Sequence, residues 1–333
     1  MRAMLLVVLG CLLSAPIAIG QVMRLPGMHL VAQQQFGRTS LMQAAMRGDS
    51  DDVRALVRAG ASVDATDDSG DTALLLVTWQ GCWPGMVDVL LELGASIDIR
   101  NQIGRTPLMN AAKGMSLNHQ LMLEGLLKRG ASINRRDDLG KTALFFGAAT
   151  GIAARSRALL AAGADVGLAT RDGDTPLMVA SRKGSADHVQ LLLDAGANPR
   201  ATNKHGHTAL WEAAFYDNAP AMMILLQAGA DPNSRRTDGS SVLMAAAVHG
   251  NIRAVDILLA EGADADARMP DGRGVLMLMV FTPAPSTEIL SRLLAAGASP
   301  NWTDQYGRTA LKLARGRGMP AVEQLLVQAG GKE

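Results

Sequence analysis

Aromatic residues are scarce in this chain, at 3% of 333 positions. Any core must therefore be filled with Leu, Ala, Val and Met. Cysteine is scarcer still: Cys11 and Cys82 are the two present, too few for a disulfide scaffold and not arranged as a paired CxxC that could hold zinc. Charge of one sign is also lacking. The 32 Lys and Arg nearly cancel the 31 Asp and Glu, giving a formal charge of +1 with no run of like charge. Binding to nucleic acid normally needs a strong basic bias, so that class of partner is set aside. No HExxH, Gly-x-Ser-x-Gly or phosphate-binding loop occurs, which removes the common signatures of catalysis. Past the N-terminus, no segment approaches the roughly 18 continuous apolar residues of a membrane helix.

The N-terminal segment has its own layout. Residues 1–20, MRAMLLVVLGCLLSAPIAIG, set Arg2 before an apolar stretch that is broken at Ser14 and Pro16. Ala18 and Gly20 then offer the small side chains that a signal peptidase reads, so a secretory signal cleaved after Gly20 is expected. An uncleaved anchor is the first alternative, opposed by Pro16 and the short apolar length. A lipoprotein-type site at Val8-Leu9-Gly10-Cys11 is the second, opposed by the apolar residues that follow it. Cleavage would remove Arg2 and Cys11, leaving a formal charge of 0 and Cys82 alone, with no intrachain disulfide. The expected location is periplasmic or secreted, and membrane contact is expected only through an uncleaved or lipidated N-terminus. Residues 21–36 read as a leader or N-terminal cap.

What the chain has in abundance is repetition. In GDTPLMVASRKGSADHVQLLLDAGANP, from Gly173 to Pro199, Thr175 suits an N-cap and Pro176 sits where a first helical residue has no hydrogen bond to lose. Leu177 and Ala180 share one face, and Gly184 breaks the helix. Val189, Leu192 and Leu193 then mark a second helix, which Gly196 ends. The polar stretch to His207 suits a hairpin-like loop. A glycine before each first helix recurs at Gly37, Gly70, Gly104, Gly140, Gly173, Gly206, Gly239, Gly272 and Gly307. The spacing is 33 residues except for gaps of 34, 36 and 35, which predicts a stack of nine two-helix units.

This period, with the Thr-Pro-Leu-Met-x-Ala of Thr175–Ala180 and Thr106–Ala111, closely resembles the ankyrin repeat and its Thr-Pro-Leu-His-x-Ala motif. The resemblance covers residues 37–330 and implies an α-solenoid of helix-turn-helix units joined by hairpin loops, over a domain of residues 37–333. The family's motif His is replaced by Met42, Met109, Met178, Met244 and Met277, and elsewhere by Leu75, Phe145, Trp211 and Lys312. The seam between units should then rest on apolar packing, with Met as a gap-filler rather than a metal ligand. Extra residues fall in the inter-helix joints, at Cys82–Gly85, Met115–Gln120 and Phe281–Ser286. The eighth unit, in which Gly274 replaces the capping Thr, should be the weakest, and the polar ninth should close the stack.

Loop carboxylates such as Asp67, Asp68, Asp137 and Asp138 are expected to turn the backbone. No set of three or four zinc ligands is visible, so no metal, cofactor, catalytic residue or small-molecule substrate is expected. The sequon Asn301-Trp302-Thr303 is read as a chance match.

Ankyrin proteins usually hold partners along the concave face of hairpin tips and first helices. Carried onto this chain, the exposed first-helix positions of the sixth unit are Phe215 and Tyr216, adjacent aromatics in a chain that has few. His205, His207, Arg182, Lys183, Arg235, Arg236 and His249 are expected around them, an aromatic pair rimmed by Arg as in interface hot spots. Trp79 is a second candidate. The resulting reading is a non-enzymatic protein-binding module of the envelope or secreted space. An inhibitor or immunity protein neutralising an enzyme or toxin is the alternative. An enzyme, or an array regulating one, has no residues left to house it.

Overall fold

A computed structural model describes residues 37–333. The expected signal peptide (1–20) and leader (21–36) lie outside the described residues. The chain divides into two compact units. The first runs to Phe146 and takes in Ala161–Ala164, and the second comprises Gly147–Leu160 and Asp165–Glu333.

The first unit contains α1 (Ser40–Arg47), α2 (Ser50–Arg58), α3 (Ala73–Gln80), α4 (Pro84–Glu92), α5 (Pro107–Lys113) and α6 (Leu117–Lys128). The division falls within α7 (Ala143–Ala149) and α8 (Ala153–Ala161). The second unit continues with α9 (Pro176–Lys183), α10 (Ala186–Asp194), α11 (Ala209–Phe215), α12 (Ala219–Gln227), α13 (Val242–Val248) and α14 (Ile252–Ala260). It ends with α15 (Val275–Val280), α16 (Thr287–Ala295), α17 (Ala310–Gly316) and α18 (Pro320–Gln328). β pairing among the described residues is limited to the isolated bridges Arg235–Ser241 and Arg268–Gly274.

Most pairs begin with the threonine cap of the repeat. Thr39, Thr72, Thr106, Thr175, Thr208 and Thr309 cap first helices by accepting the backbone N–H three residues on, and Pro107 and Pro176 open α5 and α9. First helices pack on the first helices of neighbouring pairs, as α3 does on α1 and α5, and α11 on α9 and α13. They are buried nearly all round: α3 hides every side chain from Ala73 to Thr78. Second helices bury a single stripe, such as Val189 and Leu192 in α10. The motif methionines Met42, Met109, Met178, Met244 and Met277 are all buried, so the seam is apolar as the sequence implies. Three of them also close a capping box, with Met42, Met178 and Met244 sulfurs accepting the N–H of the cap residue.

Two joints differ from the sequence reading. Pro84 and Gly85 begin α4 rather than extending a turn, because proline needs no partner at the first helical position. Leu117–Gln120 likewise form the first turn of α6, which reaches 12 residues.

Successive hairpin tips are laced together. Within a tip, Asn203 Oδ1 accepts the N–H of His205 and of His207, and Asp67 and Asp137 do the same in theirs. Between tips, Lys204 N donates to Asp172 O at 2.8 Å and Thr237 N to His205 O at 3.1 Å. Such close approach is what Gly206 permits. Its φ is +77°, and a Cβ there would stand 2.8 Å from Arg236 Cα, a conformation and a contact that a side chain would oppose. Asn301 of the sequon donates to Gly330 O and accepts from Lys332 N, so its amide already has a structural task.

Candidate functional site

Most of the expected residues meet in the second unit, on α11 and the hairpin before it. Thr208 Oγ1 accepts from Trp211 N at 3.1 Å, which fixes the first turn and sets the Trp211 ring beside the hairpin. His207 stacks on that ring, with centroids 3.8 Å apart and planes 15° from parallel. One turn on, Phe215 stacks on the other side of Trp211 at 4.9 Å and 22°, the i,i+4 spacing that places side chains over one another on a helix. Phe215 then meets His249 of the next repeat at 4.1 Å and Tyr216 edge-on at 5.1 Å. Arg236 lies 5.4 Å from the Trp211 ring, within cation–π range, and His205 lies 5.9 Å from His207. The result is one row of rings, His207–Trp211–Phe215–His249.

A carboxylate underlies the row. Glu212 is 2% exposed and accepts from Arg182 Nε at 2.8 Å and Nη2 at 3.0 Å. Its Oε1 also lies 3.3 Å from His207 Nδ1. Burial pushes His207 below the ordinary histidine value, and the hydrogen bond to Glu212 only partly offsets this. The imidazole is then neutral near pH 7, with Nδ1–H donating to Glu212 and Nε2 left as an acceptor. Burial alone would also pull Arg182 down, but the hydrogen bond and charge of Glu212 hold it above its usual value.

Three buried polar atoms around the row have no hydrogen-bond partner: His207 Nε2, Trp211 Nε1 and Arg236 Nε. Leaving such a group unsatisfied costs about 1–3 kcal/mol. Together they present one acceptor and two donors that a bound molecule could satisfy. Tyr216 is followed by Asp217, whose φ of +53° makes it the non-glycine with positive φ among the described residues. Backbone strain of this kind gathers at functional sites.

The expected residues separate as follows. Tyr216 is exposed at 48%, as anticipated. Phe215 is not: it is half-buried, because its ring is held between Trp211 and His249. Arg182, Arg236, His205, His207 and His249 all join the cluster. Arg235 does not, since its Nη1 donates to Gly239 O and Arg268 O and so braces two hairpins. The side chain of Lys183 lies outside the described part. Trp79 belongs to the first unit, on α3, where it is 53% exposed and has Lys113 Nζ 4.6 Å from its ring centroid. Trp211 and Glu212, which hold the cluster together, were not among the expected residues. Among the described residues, no group of three or more His, Cys, Asp or Glu could hold a metal ion, and no helix is long and apolar enough to cross a membrane.

Comparison with known proteins agrees with this architecture. A family model described as ankyrin repeats (3 copies) matches residues 21–101, 41–137, 81–167, 152–236 and 243–332. The chain belongs to the ankyrin-repeat family, and its fold class is the α-solenoid. The first match begins at residue 21, within the segment read as a leader. Among curated proteins, the chain is similar to the ankyrin repeat protein YahD of Escherichia coli (strain K12), with 55% identity over 42 residues. That match covers 13% of this chain and 21% of YahD, so the chain spans about a fifth of that relative's length. Ankyrin repeats are protein–protein interaction modules, and this is the class that fold and family define.

Proposed function

We propose that this protein is a non-enzymatic binding array that acts outside the cytoplasm and holds a protein partner against α11, α13 and their hairpin tips. The observation that carries the reading is the ring row His207–Trp211–Phe215–His249 with Tyr216 exposed at its end. Phe, Trp and Tyr make up 3% of the chain, yet Trp211, Phe215 and Tyr216 fall together on α11 and its C-cap, with His207 and His249 against them. Trp, Tyr and Arg are the residues that most often anchor interfaces. The unsatisfied atoms of His207, Trp211 and Arg236 add a reason for a partner to bring hydrogen-bonding groups. Location outside the cytoplasm rests on the signal-like layout of residues 1–20.

Two measurements test this. N-terminal sequencing of the natively expressed protein should begin at Gln21, and a chain still starting at Met1 in the cytoplasm would refute the location. Crosslinking from envelope fractions should capture a defined protein with the wild type and lose it with Tyr216→Ala combined with Arg236→Ala. Capture that survives this change would move the site elsewhere.

A further inference from the structure

The first unit contains a second surface of different chemistry. A cleft of about 400 Å³ opens between α3, α5 and the hairpin that precedes α5, within the size range of ligand sites. Trp79 and Ile103 stand at its rim, each 53% exposed. Such a cleft lets a ligand lie across it rather than sink into it. Arg105 comes from the hairpin, with its guanidinium 5.8 Å from the Trp79 ring and 5.0 Å from Phe146. Lys113 ends α5 and reaches the same Trp79 ring. Lys141 follows in the next hairpin, 5.5 Å from Phe145.

Among the described residues, no carboxylate stands within ion-pair distance of Arg105, Lys113 or Lys141, and Arg105 Nε is buried without an acceptor. Partial burial holds the Lys113 amine below its ordinary value, and repulsion from Arg105 and Lys141 lowers it further. The acid in the cleft lining is Asp71, which already accepts from Asn101 Nδ2 at 2.9 Å and whose carboxyl is held above its ordinary value by burial. At the base of the cleft Asn110 is 4% exposed. Its Nδ2 donates to Leu75 O, while its Oδ1 has no donor.

We propose that this cleft binds an acidic, extended segment of a protein, with one Asp or Glu carboxylate between Arg105 and Lys113 and a neighbouring apolar residue on Trp79 and Ile103. A carboxylate is the acceptor that Arg105 Nε lacks, and it relieves the repulsion among the three cations. A main-chain N–H is the donor that Asn110 Oδ1 lacks. The exposed indole supplies a flat apolar surface beside the charge, which a free anion would not use. This site is in a different unit from the ring row and uses none of its residues, so either can fail alone.

The test is selection of displayed random peptides on the immobilised full chain. Selected peptides should be enriched in Asp or Glu next to an apolar residue. Their affinity should fall at least tenfold with Arg105→Gln plus Lys113→Gln, and also at raised salt, because the exposed Lys113 charge is screened. The single variant Lys113→Glu, at an exposed position, keeps the test decisive if the double variant folds poorly, and it should weaken the same peptides. Trp79→Ala should weaken them without changing the acidic preference. Selected peptides without acidic enrichment, affinity unchanged in both charge variants, or free glutamate binding as tightly as the peptides would each overturn the proposal.

Discussion

Arg182 in one repeat grips Glu212 in the next through two hydrogen bonds, Nε to Oε2 at 2.8 Å and Nη2 to Oε1 at 3.0 Å. Two-point pairing fixes orientation as well as distance. Because Oε1 also faces His207 Nδ1, the same carboxylate sets how the imidazole lies on Trp211. Charge and stacking are therefore one arrangement.

Replacing Glu212 with Gln should be costly. Breaking a buried pair costs about 3–5 kcal/mol, but the Arg182 side chain is 33% exposed and water recovers part of that. A loss of about 2 kcal/mol is expected, read from the midpoint of urea unfolding at constant slope. A loss under about 0.5 kcal/mol would mean that the pair does not hold the row.

Phe215 and Tyr216 should behave differently despite being adjacent. Tyr216→Ala removes an exposed ring, and surface changes usually stay within about 0.5 kcal/mol. Phe215→Ala removes a ring packed on Trp211 and His249, and aromatic pairs contribute about 0.5–1.5 kcal/mol beyond area, so a clear fall in Tm is expected. In partner capture the order should reverse, with Tyr216→Ala the more damaging at equal stability. Equal Tm shifts for the two variants would contradict the packing described here.

The repeat was legible in sequence because its physics is local. A Thr cap, a Pro at the first helical position and a glycine with positive φ act within a few residues of themselves, so Thr175, Pro176 and Gly196 announce their roles. The same local reading misplaced Pro84, since proline marks a turn and a helix start with equal force. The ring row was half legible. Phe215 and Tyr216 stood out by rarity, but Trp211 occupies a motif position that elsewhere holds a buried Met, and was absorbed into the seam. Glu212 was hidden for another reason. Its partner Arg182 lies 30 residues earlier, and only the stacking of α9 on α11 brings the two together.

Acid should weaken the fold through His188. This residue is fully buried, with Nε2 2.8 Å from Ser156 Oγ, and burial lowers its pKa in the folded state. The unfolded chain, titrating near 6.5, then binds a proton that the folded chain refuses. Stability should be full above about pH 6.5 and fall as pH drops toward the lower folded value, by at most about 1.4 kcal/mol per pH unit for one such group. His207, lowered in the same direction, adds to the slope. Thermal unfolding between neutral and mildly acidic pH should show it, and His188→Gln should flatten the dependence whatever it does to Tm at neutral pH. An unchanged slope in that variant would remove His188 from the account.

The eighth repeat offers the sharpest test of how stability is distributed along the second unit. Gly274 stands at the N-cap of α15 with no side-chain bond to the helix, where Thr208 and Thr309 supply one to theirs. The helix it begins has 6 residues, and the loop after it carries two prolines before Ser286 caps α16. Amides of α15 should therefore exchange with solvent before those of α9 and α11. The defect is repairable, because the Gly274 backbone, with φ −93° and ψ 174°, already has the extended shape of a cap. A Cβ there would meet Ala267 O at 3.8 Å and Trp302 Cδ1 at 3.9 Å, which is ordinary contact. Gly274→Ser should let a hydroxyl accept from Met277 N, and together with the loss of glycine's freedom in the unfolded chain should add about 0.5–1 kcal/mol. Since stacked repeats interact mainly with their neighbours, the added protection should concentrate in α15 and α16 and fade toward α9. Slower exchange spread evenly over the second unit would mean that its repeats open together, and no change at all would mean that the missing cap is not what makes α15 weak.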